Sequence, residues 1–297
     1  MKTSKPFRIL LYYKYIKIEN HEAYAELHLR FCKALGVLGR VIVAPEGING
    51  TVSGTVEQTE AYMNGMQMDP RFGDVVFKID KADEHAFRRI SVKPKNEIVS
   101  LKLENDLDPN ELGAPHLDPK DFFKKMQEED AVILDVRNDY EYELGHFRGA
   151  VRPDVRAFRD FPKWARRELK DFKNKPVLTY CTGGVRCEKF TGFLLREGFT
   201  DVAQLRGGIV SYGKDPEVQG KNFDGECFVF DDRLSVQVNR TEGANVISHC
   251  HYCGELSARY INCSRSTCHT LYICCENCEK EHGGACSPGC EALLKEA

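Results

Sequence analysis

The sequence predicts a mixed α/β and α+β protein built from three successive parts. Strands and helices alternate in the order βαββαβ over the first hundred residues, continuous apolar strands alternate with helices over residues 115–221, and nine of the thirteen cysteines occur from Cys250 onward. A chain of 297 residues has room for about two or three domains. Its composition, 42% hydrophobic and 29% charged, excludes a disordered or fibrous protein. We therefore expect domains at 1–103, 115–221 and 222–297.

The first part alternates between apolar strands and capped helices. The predicted elements are, in order, the strand FRILLYYKYI, the helix NHEAYAELHLRFCKALG opened by Asn20, the strands GRVIVA and NGTVSG joined through PEGI, the helix TVEQTEAYMNGMQ opened by a threonine, and the strand DVVFKIDKA. An antiparallel sheet with two helices on one face, in the order βαββαβ, is the ferredoxin-like or acylphosphatase-like arrangement. This arrangement is expected here.

The amino terminus is basic and contains a short apolar patch, but lysines and tyrosines interrupt the patch and no small-residue cleavage site follows. We interpret it as a first strand and not as a signal peptide. No apolar run approaches the roughly 20 residues that a membrane-spanning helix needs. We expect a cytoplasmic location and no membrane partner.

A linker rich in Asp, Pro and Asn, LENDLDPNELGAPHLDP, leads into the second part. The predicted elements there are the strand AVILDV, a helix from Asp139 to Leu144, a strand edge GAVRP, the helix RDFPKWARRELKDF, the strand PVLTYC, the helix GVRCEKFTGFLLREG, and the strand and turn DVAQLRGG. Continuous apolar strands separated by helices indicate a doubly wound parallel sheet covered on both faces. The third part has one strand-like run, ECFVFDDRLSV, before a tail with too few large apolar residues for a core of its own.

The stretch LTYCTGGVRCEKF places Cys181 at the end of a buried strand, just before a glycine turn into a helix. Ligands of open α/β sheets bind at this carboxyl edge. Backbone N–H groups of the loop, which comprises Cys181, Thr182, Gly183, Gly184, Val185 and Arg186, can turn inward at a helix N-terminus and stabilise an anion. The nearest anion is the Cys181 thiolate, so its pKa should be lowered. We expect Arg186 to fix the loop or to hold an oxyanion.

The alternative interpretation is a glycine turn that carries a passive buried cysteine. A second motif favours the reactive interpretation. LDVRNDYEYELGHFRGAV reproduces the D-x-R-x3-E-x3-G-H-[IF]-x-G-A signature of rhodanese domains through Asp135, Arg137, Glu141, Gly145, His146, Gly149 and Ala150. LRGGI, at Leu205 to Ile209, resembles the closing motif of the same domains. We expect structural roles for four of these residues: ion pairs that tie strands to turns for Asp135 and Arg137, and support of the short helix for Glu141 and His146.

The loop has six residues, whereas related phosphatases of the cell-cycle dual-specificity type use a loop one residue longer, sized for a phosphate. Phosphatase activity is therefore not expected. CTGGVRCEKF, APEGINGTVSG, the acylphosphatase-like first part and the cysteine-rich tail together resemble the bacterial tRNA uridine hydroxylases that contain a rhodanese domain. This resemblance implies oxygen-dependent conversion of the wobble uridine of certain tRNAs to 5-hydroxyuridine, with molecular oxygen as co-substrate and Cys181, as thiolate or persulfide, as the catalytic residue.

Two other functions fit parts of the pattern. Cys181 could carry a persulfide to a tRNA or small acceptor, as a sulfurtransferase does, or the domain could be a noncatalytic docking module. The intact loop argues against docking alone. Cys187 is either a resolving thiol for Cys181 or a small buried residue facing the sheet. A sulfur- or electron-donating protein is a further expected partner; the sequence identifies neither the electron donor nor the oligomeric state.

Two basic stretches are candidate contacts for the tRNA anticodon region. One combines positive charge with Phe158, Phe161 and Trp164, as recognition of single-stranded RNA requires. The candidate contacts are Arg88, Arg89 and Lys93 in the first part and Arg156, Arg159, Lys163, Arg166 and Arg167 in the second. Exposed surface charge with apolar anchoring is the alternative for each.

The tail contains four cysteine pairs whose spacing matches tetrahedral zinc. The candidate ligands are Cys250, Cys253, Cys263, Cys268, Cys275, Cys278, Cys286 and Cys290. Joining the first pair with the third and the second with the fourth predicts two cross-braced structural zinc sites. A stapled or partly oxidised tail is the alternative.

Overall fold

The computed structural model describes residues 5–296. The N-terminal domain is a five-stranded sheet with two helices. Its elements are β1 (Phe7–Tyr15), α1 (His21–Leu35), β2 (Leu38–Ala44), β3 (Gly47–Thr55), α2 (Val56–Gln67), β4 (Lys78–Ala82) and β5 (Ile90–Pro94). Asn20 caps α1 by accepting a hydrogen bond from the Ala23 N–H, and Thr55 and Gln58 form a capping box on α2.

The strand order is β4-β1-β3-β2-β5, and the first four strands pair antiparallel, as the βαββαβ prediction requires. Two details differ from the prediction. The fourth strand starts at Lys78 and not at Asp74, and Ile90–Pro94 adds an unpredicted fifth strand, parallel to β2. This strand is short, half-exposed and ends in proline, which suits a sheet edge but gives little signal in the sequence.

The central domain has a four-stranded parallel sheet, ordered β6-β10-β9-β7. Its elements are β6 (His116–Leu117), α3 (Pro119–Lys125), β7 (Val132–Asp135), α4 (Asp139–Leu144), β8 (Gly145–Phe147), α5 (Phe161–Glu168), β9 (Pro176–Tyr180), α6 (Val185–Arg196), β10 (Asp201–Leu205) and α7 (Gly208–Tyr212). Helices α5 and α6 cover one face of the sheet through one apolar cluster, and α3 and α7 cover the other through a second. The predicted doubly covered parallel sheet is confirmed.

Two predictions for this domain were wrong in detail. GAVRP is not a strand; Val151 makes a single bridge to Leu134, because Gly149 turns the chain with a φ of +77°. The strand lies just upstream instead, at β8. The helix predicted over RDFPKWARRELKDF contains only α5, with a short 3-10 turn on each side.

The C-terminal region begins with a strand that pairs with the central domain. Its elements are β11 (Phe223–Phe228), β12 (Ser235–Gln237), β13 (Tyr260–Asn262), β14 (Leu271–Ile273), α8 (Glu276–Glu281) and α9 (Pro288–Lys295). Strand β11 pairs antiparallel with both β8 and β12. ECFVFDDRLSV is therefore two strands and not one. The Asp231 carboxylate accepts hydrogen bonds from the Arg233 backbone and guanidinium and bends the chain between them.

Within residues 5–296, no helix combines the length and the apolar character needed to cross a bilayer.

Candidate active site and metal centres

Cys181 lies at the carboxyl end of β9, where the chain turns into α6. Its side chain is buried, with 1% of its surface exposed. The Gly184 N–H donates a hydrogen bond to Cys181 Sγ at 3.2 Å. Gly184 has a φ of +102°, a conformation that glycine adopts readily and that turns this N–H toward the sulfur. The loop thus cradles the sulfur with its own backbone.

The cradle favours the thiolate. Burial opposes ionisation of Cys181, but the hydrogen bond from Cys187, the charge of Arg186 and backbone N–H groups outweigh it and lower the pKa to about 6. The pKa of Cys187 is raised, first by burial and then by its hydrogen bond to Cys181. At neutral pH the pair is therefore a Cys181 thiolate beside a Cys187 thiol.

Arg186 holds the loop to α4. Its two terminal nitrogens lie 2.6 and 2.8 Å from the two carboxylate oxygens of Glu141, and both residues are buried. Glu141 also accepts a hydrogen bond from the Asn138 N–H, which caps α4. Arg186 Nη2 lies 3.4 Å from the Thr182 hydroxyl. A bidentate pair of this kind fixes the guanidinium near the sulfur and the shape of the loop.

The remaining signature residues lie behind the loop. Arg137 pairs with Asp135 at 2.6 Å and donates to the Gly145 carbonyl, and both ionic side chains are fully buried. The Tyr180 hydroxyl, one residue before Cys181, donates to Asp135 at 2.7 Å. His146 Nδ1 donates to the Tyr142 carbonyl, and its ring stacks on the Tyr142 ring. These contacts join β7, β8 and β9, and none of them touches the sulfur.

Strand β1 of the N-terminal domain covers the loop. A Cβ added at Gly183 would lie 2.9 Å from the Leu11 side chain, and one at Gly184 would lie 2.9 Å from the Tyr13 hydroxyl. The Tyr15 hydroxyl donates to the Val185 carbonyl at 3.1 Å. Both loop glycines are therefore needed for this close approach. The active-site loop lies at an interface between two domains.

Glu188, on the first turns of α6, is the polar centre of this interface. Its carboxylate accepts hydrogen bonds from the Tyr13 hydroxyl at 2.7 Å, from His116 Nε2 at 2.9 Å and from Gln204 Nε2 at 2.9 Å. Burial raises the pKa of Glu188, but these donors outweigh it and the net shift is downward. Glu188 therefore stays ionised and links β1 to β6 and β10.

Lys189 follows Glu188 on α6, and its ammonium pairs with three carboxylates. Its side chain is 0% exposed, and its ammonium lies 2.8 Å from Glu46, 2.8 Å from Glu97 and 2.9 Å from Asp106. Glu46 belongs to the PEGING turn between β2 and β3, and the other two carboxylates belong to the segment that follows β5. One lysine thus joins these two segments, through three carboxylates, to the helix that carries the loop.

A pocket of about 610 Å³ opens between the two domains next to the loop. Its lining residues are Tyr13, Lys14, Tyr15, Asp74, Val75, Val76, Lys78, Pro109, Asn110, His116, Pro119, Glu188, Arg206, Gly207 and Ser211. This size suits a small ligand or one nucleoside. Cys181 does not line the pocket, but Tyr13, which does, also lies against Gly184 of the Cys181 loop.

The eight candidate tRNA contacts are all exposed. Four of them have carboxylate partners, and these pairs are Arg88 with Asp232, Arg156 with Asp139, Arg166 with Glu197 and Arg167 with Glu168. The predicted stacking role of the aromatic residues was wrong. Phe158, Phe161 and Trp164 are buried in the core under α5 and α6, because α5 turns its apolar side inward and its charges outward.

The eight tail cysteines form two groups of four, joined as predicted. Cys250 and Cys253 meet Cys275 and Cys278, and Cys263 and Cys268 meet Cys286 and Cys290. The sulfurs of each group lie within 4.8 Å of one another, with Cys253–Cys275 and Cys286–Cys290 both at 3.8 Å. Tetrahedral zinc with Zn–S bonds of about 2.3 Å requires S···S distances of about 3.8 Å. Both groups can therefore bind a metal.

Several residues of this site had no clear signal in the sequence. Tyr13, Tyr15 and Lys78 belong to the N-terminal domain, and only the tertiary structure brings them to the loop. Lys189 gave no clear signal either, because it directly follows Glu188 on a helix that also carries Arg186 and Arg196.

Known proteins resemble the chain over nearly its whole length. Family models match for the UPF0176 acylphosphatase like domain at residues 7–98, the rhodanese-like domain at 118–215 and the rhodanase C-terminal region at 224–291. A protein of Bacillus mycoides named tRNA uridine(34) hydroxylase is 54% identical, with 98% of this chain and 91% of the relative covered. Proteins of the same name from Bacillus licheniformis and Bacillus velezensis are each 55% identical, with 96% of this chain and 88% of the relative covered. The chain belongs to the tRNA uridine(34) hydroxylase family.

Proposed function

We propose that this protein hydroxylates the wobble uridine of tRNA at C5 and that Cys181 is the nucleophile. The observation that carries the proposal is the cradled sulfur, whose pKa is lowered to about 6 in a member of this family. A group that is mostly thiolate at neutral pH can attack the electron-poor C6 of uracil. That addition makes the neighbouring C5 electron-rich, so C5 can react with molecular oxygen.

The reaction also needs a reductant. One oxygen atom of O₂ joins C5, and the other leaves as water after accepting two electrons and two protons. Oxidation of two thiols to a disulfide releases two electrons and two protons. Cys181 and Cys187 interact closely enough for each to shift the pKa of the other and form such a pair, which supports a resolving role for Cys187. A donor protein or small thiol would then reduce the disulfide.

The test is mass analysis of tRNA nucleosides from three cell lines. Each line carries a single version of the protein: the unchanged chain, Cys181→Ser or Cys32→Ser. Cys32 is a buried thiol in the N-terminal core and serves as the matched control. We expect 5-hydroxyuridine to disappear in Cys181→Ser and to persist in Cys32→Ser. Unchanged 5-hydroxyuridine in Cys181→Ser would refute the proposal. Sulfur in place of the added oxygen would indicate the sulfurtransferase alternative.

We further propose that the exposed basic residues bind the tRNA backbone. Arg159 and Lys163 support this, since neither has a carboxylate partner within salt-bridge distance among residues 5–296. Binding that depends on phosphate contacts weakens steeply with salt. Arg159→Gln with Lys163→Gln should weaken tRNA binding and reduce the slope of log K against log salt by about two. An unchanged slope would remove α5 from the tRNA surface.

Finally, we propose that the two cysteine groups hold structural zinc. Backbone N–H groups point at their sulfurs, for example Cys275 N–H to Cys250 Sγ at 3.4 Å, and such donors stabilise metal-bound thiolates. Elemental analysis should find two zinc ions per chain, and one in Cys253→Ser. Cys274→Ala, at a cysteine outside both groups, should keep two.

A further inference from the structure

Lys78 begins strand β4 and reaches into the pocket between the domains. Its Cε lies 3.1 Å from the position of a Cβ added at Gly207, and its ammonium lies 4.9 Å from the centre of the Tyr13 ring. Gly207 follows the strand next to β9, and the neighbouring Gly208 lies against the Cys181 carbonyl. Lys78 therefore approaches the catalytic loop from the N-terminal domain.

The other cationic side chains of the pocket are occupied. Lys14 pairs with Asp74, Arg206 pairs with Asp118, and His116 donates to Glu188. Among residues 5–296, no carboxylate lies within salt-bridge distance of Lys78, and no hydrogen bond involves its ammonium. Apart from the Tyr13 ring face, this half-buried ammonium has no partner, and a buried charge without a counter-charge is energetically unfavourable. Its place in a pocket therefore points to a ligand group that carries or develops negative charge.

Burial gives Lys78 a pKa suited to proton-linked chemistry. Burial lowers the pKa of Lys78 to about 8, against the opposing influence of the Cys181 thiolate and Glu188, while Lys214 adds to the lowering. The Lys78 amine is therefore largely protonated at neutral pH and loses its proton as the pH rises through about 8.

We propose that Lys78 is a catalytic residue, whose ammonium binds O4 of the uracil that Cys181 attacks. This proposal rests on the proposed hydroxylation and deepens it. In the step, the thiolate electron pair forms the Sγ–C6 bond, the C5=C6 pair becomes C4=C5, and the C4=O4 pair moves onto O4. No electron or proton is lost; the negative charge passes from sulfur to O4, where the Lys78 ammonium stabilises it.

The N-terminal domain then has a defined part in the reaction. Tyr13 lies over Gly184 and beside Lys78, so a base that reaches the buried sulfur must displace the Tyr13 side chain and takes its place next to the ammonium. The active site is thus composed of the thiolate from the central domain and the oxyanion-binding cation from the N-terminal domain.

The test is adduct formation with an anticodon stem-loop RNA that carries N3-methyl-5-fluorouridine, which has no N3 proton to lose near pH 8, at the wobble position. Addition of Cys181 to C6 and proton uptake at C5 give a covalent adduct without any electron donor, and denaturing gels and mass spectrometry measure it. We expect the rate to rise with pH through about 6, as Cys181 ionises, and to fall above about 8, as Lys78 loses its proton. Lys78→Met should slow adduct formation roughly 100-fold and abolish the fall above pH 8.

Two variants separate chemistry from folding. Lys78→Arg should keep measurable adduct formation, with the fall at high pH abolished because the guanidinium stays charged. Lys81→Met, on the same strand as Lys78 but outside the pocket lining, should keep the profile of the unchanged protein. If Lys78→Met matches the unchanged protein in rate and pH profile while Cys181→Ser forms no adduct, the role of Lys78 is refuted and the proposed function stands. An adduct in Cys181→Ser would overturn the proposed function itself.

Discussion

The hydrogen bond between Cys187 and Cys181 makes a quantitative prediction. Cys187→Ala removes a thiol donor from a buried thiolate. A hydrogen bond to a charged group contributes about 1.5–3 kcal/mol, and one pKa unit corresponds to about 1.4 kcal/mol. The pKa of Cys181 should therefore rise from about 6 to roughly 7–8. At pH 6 the thiolate fraction should fall by about 5- to 50-fold, whereas at pH 9 it should be nearly unchanged.

Iodoacetamide labelling followed by peptide mass spectrometry measures this fraction. Trypsin cleaves after Arg186, so the peptide that contains Cys181 separates from Cys187 and from the tail cysteines. The midpoint of labelling against pH gives the pKa. Cys187→Ser keeps a hydroxyl donor and should leave the midpoint within about one unit of its starting value. An unchanged midpoint in Cys187→Ala would show that the backbone and Arg186 alone stabilise the thiolate, and would refute the donor role.

Three further predictions concern the framework. Glu141→Gln leaves the buried Arg186 guanidinium without its counter-charge. It should lower the free energy of unfolding by roughly 3–5 kcal/mol, as measured by denaturant titration. A loss under about 1 kcal/mol would contradict this. Burial lowers the pKa of His28 to about 4, so the neutral imidazole stabilises the fold above pH 6.5. The free energy of unfolding should fall by roughly 3 kcal/mol as the pH drops from 6.5 toward 4. His28→Gln should remove most of this pH dependence. Lys189→Met leaves three carboxylates facing one another without a counter-charge. It should speed both proteolysis of residues 99–115 and iodoacetamide labelling of Cys181. Rates equal to those of the unchanged protein would show that Lys189 does not hold the domains together.

The elements that could be predicted are those with a local cause. The apolar runs of β7, β9 and β10, the caps of α1 and α2 and the glycine turn after Cys181 are all visible in short stretches of sequence. The cysteine pairing was equally predictable, because crossed pairing of four close pairs is a simple geometric solution for two tetrahedral sites.

The parts that were missed depend on tertiary contacts. Strand β5 is held by pairing with β2 and not by its own pattern. The aromatic residues of α5 are as consistent with stacking on RNA as with core packing until the helix is placed against α6. Likewise, Tyr13 and Lys78 read as ordinary strand residues, and only the docking of β1 and β4 against the catalytic loop gives them a chemical setting.

The cover over Cys181 has a consequence for the lifetime of the enzyme. A cysteine that is mostly thiolate at neutral pH is normally prone to peroxide, which carries it irreversibly to sulfinic and sulfonic acids. Here the sulfur is 1% exposed, with Leu11 and Tyr13 over its loop and a second thiol in hydrogen-bonding contact. Dissolved oxidants meet the side chains of β1 first, and a sulfenic acid that does form has Cys187 beside it to condense to a reversible disulfide. The cover and the second thiol would thereby limit irreversible oxidation of Cys181.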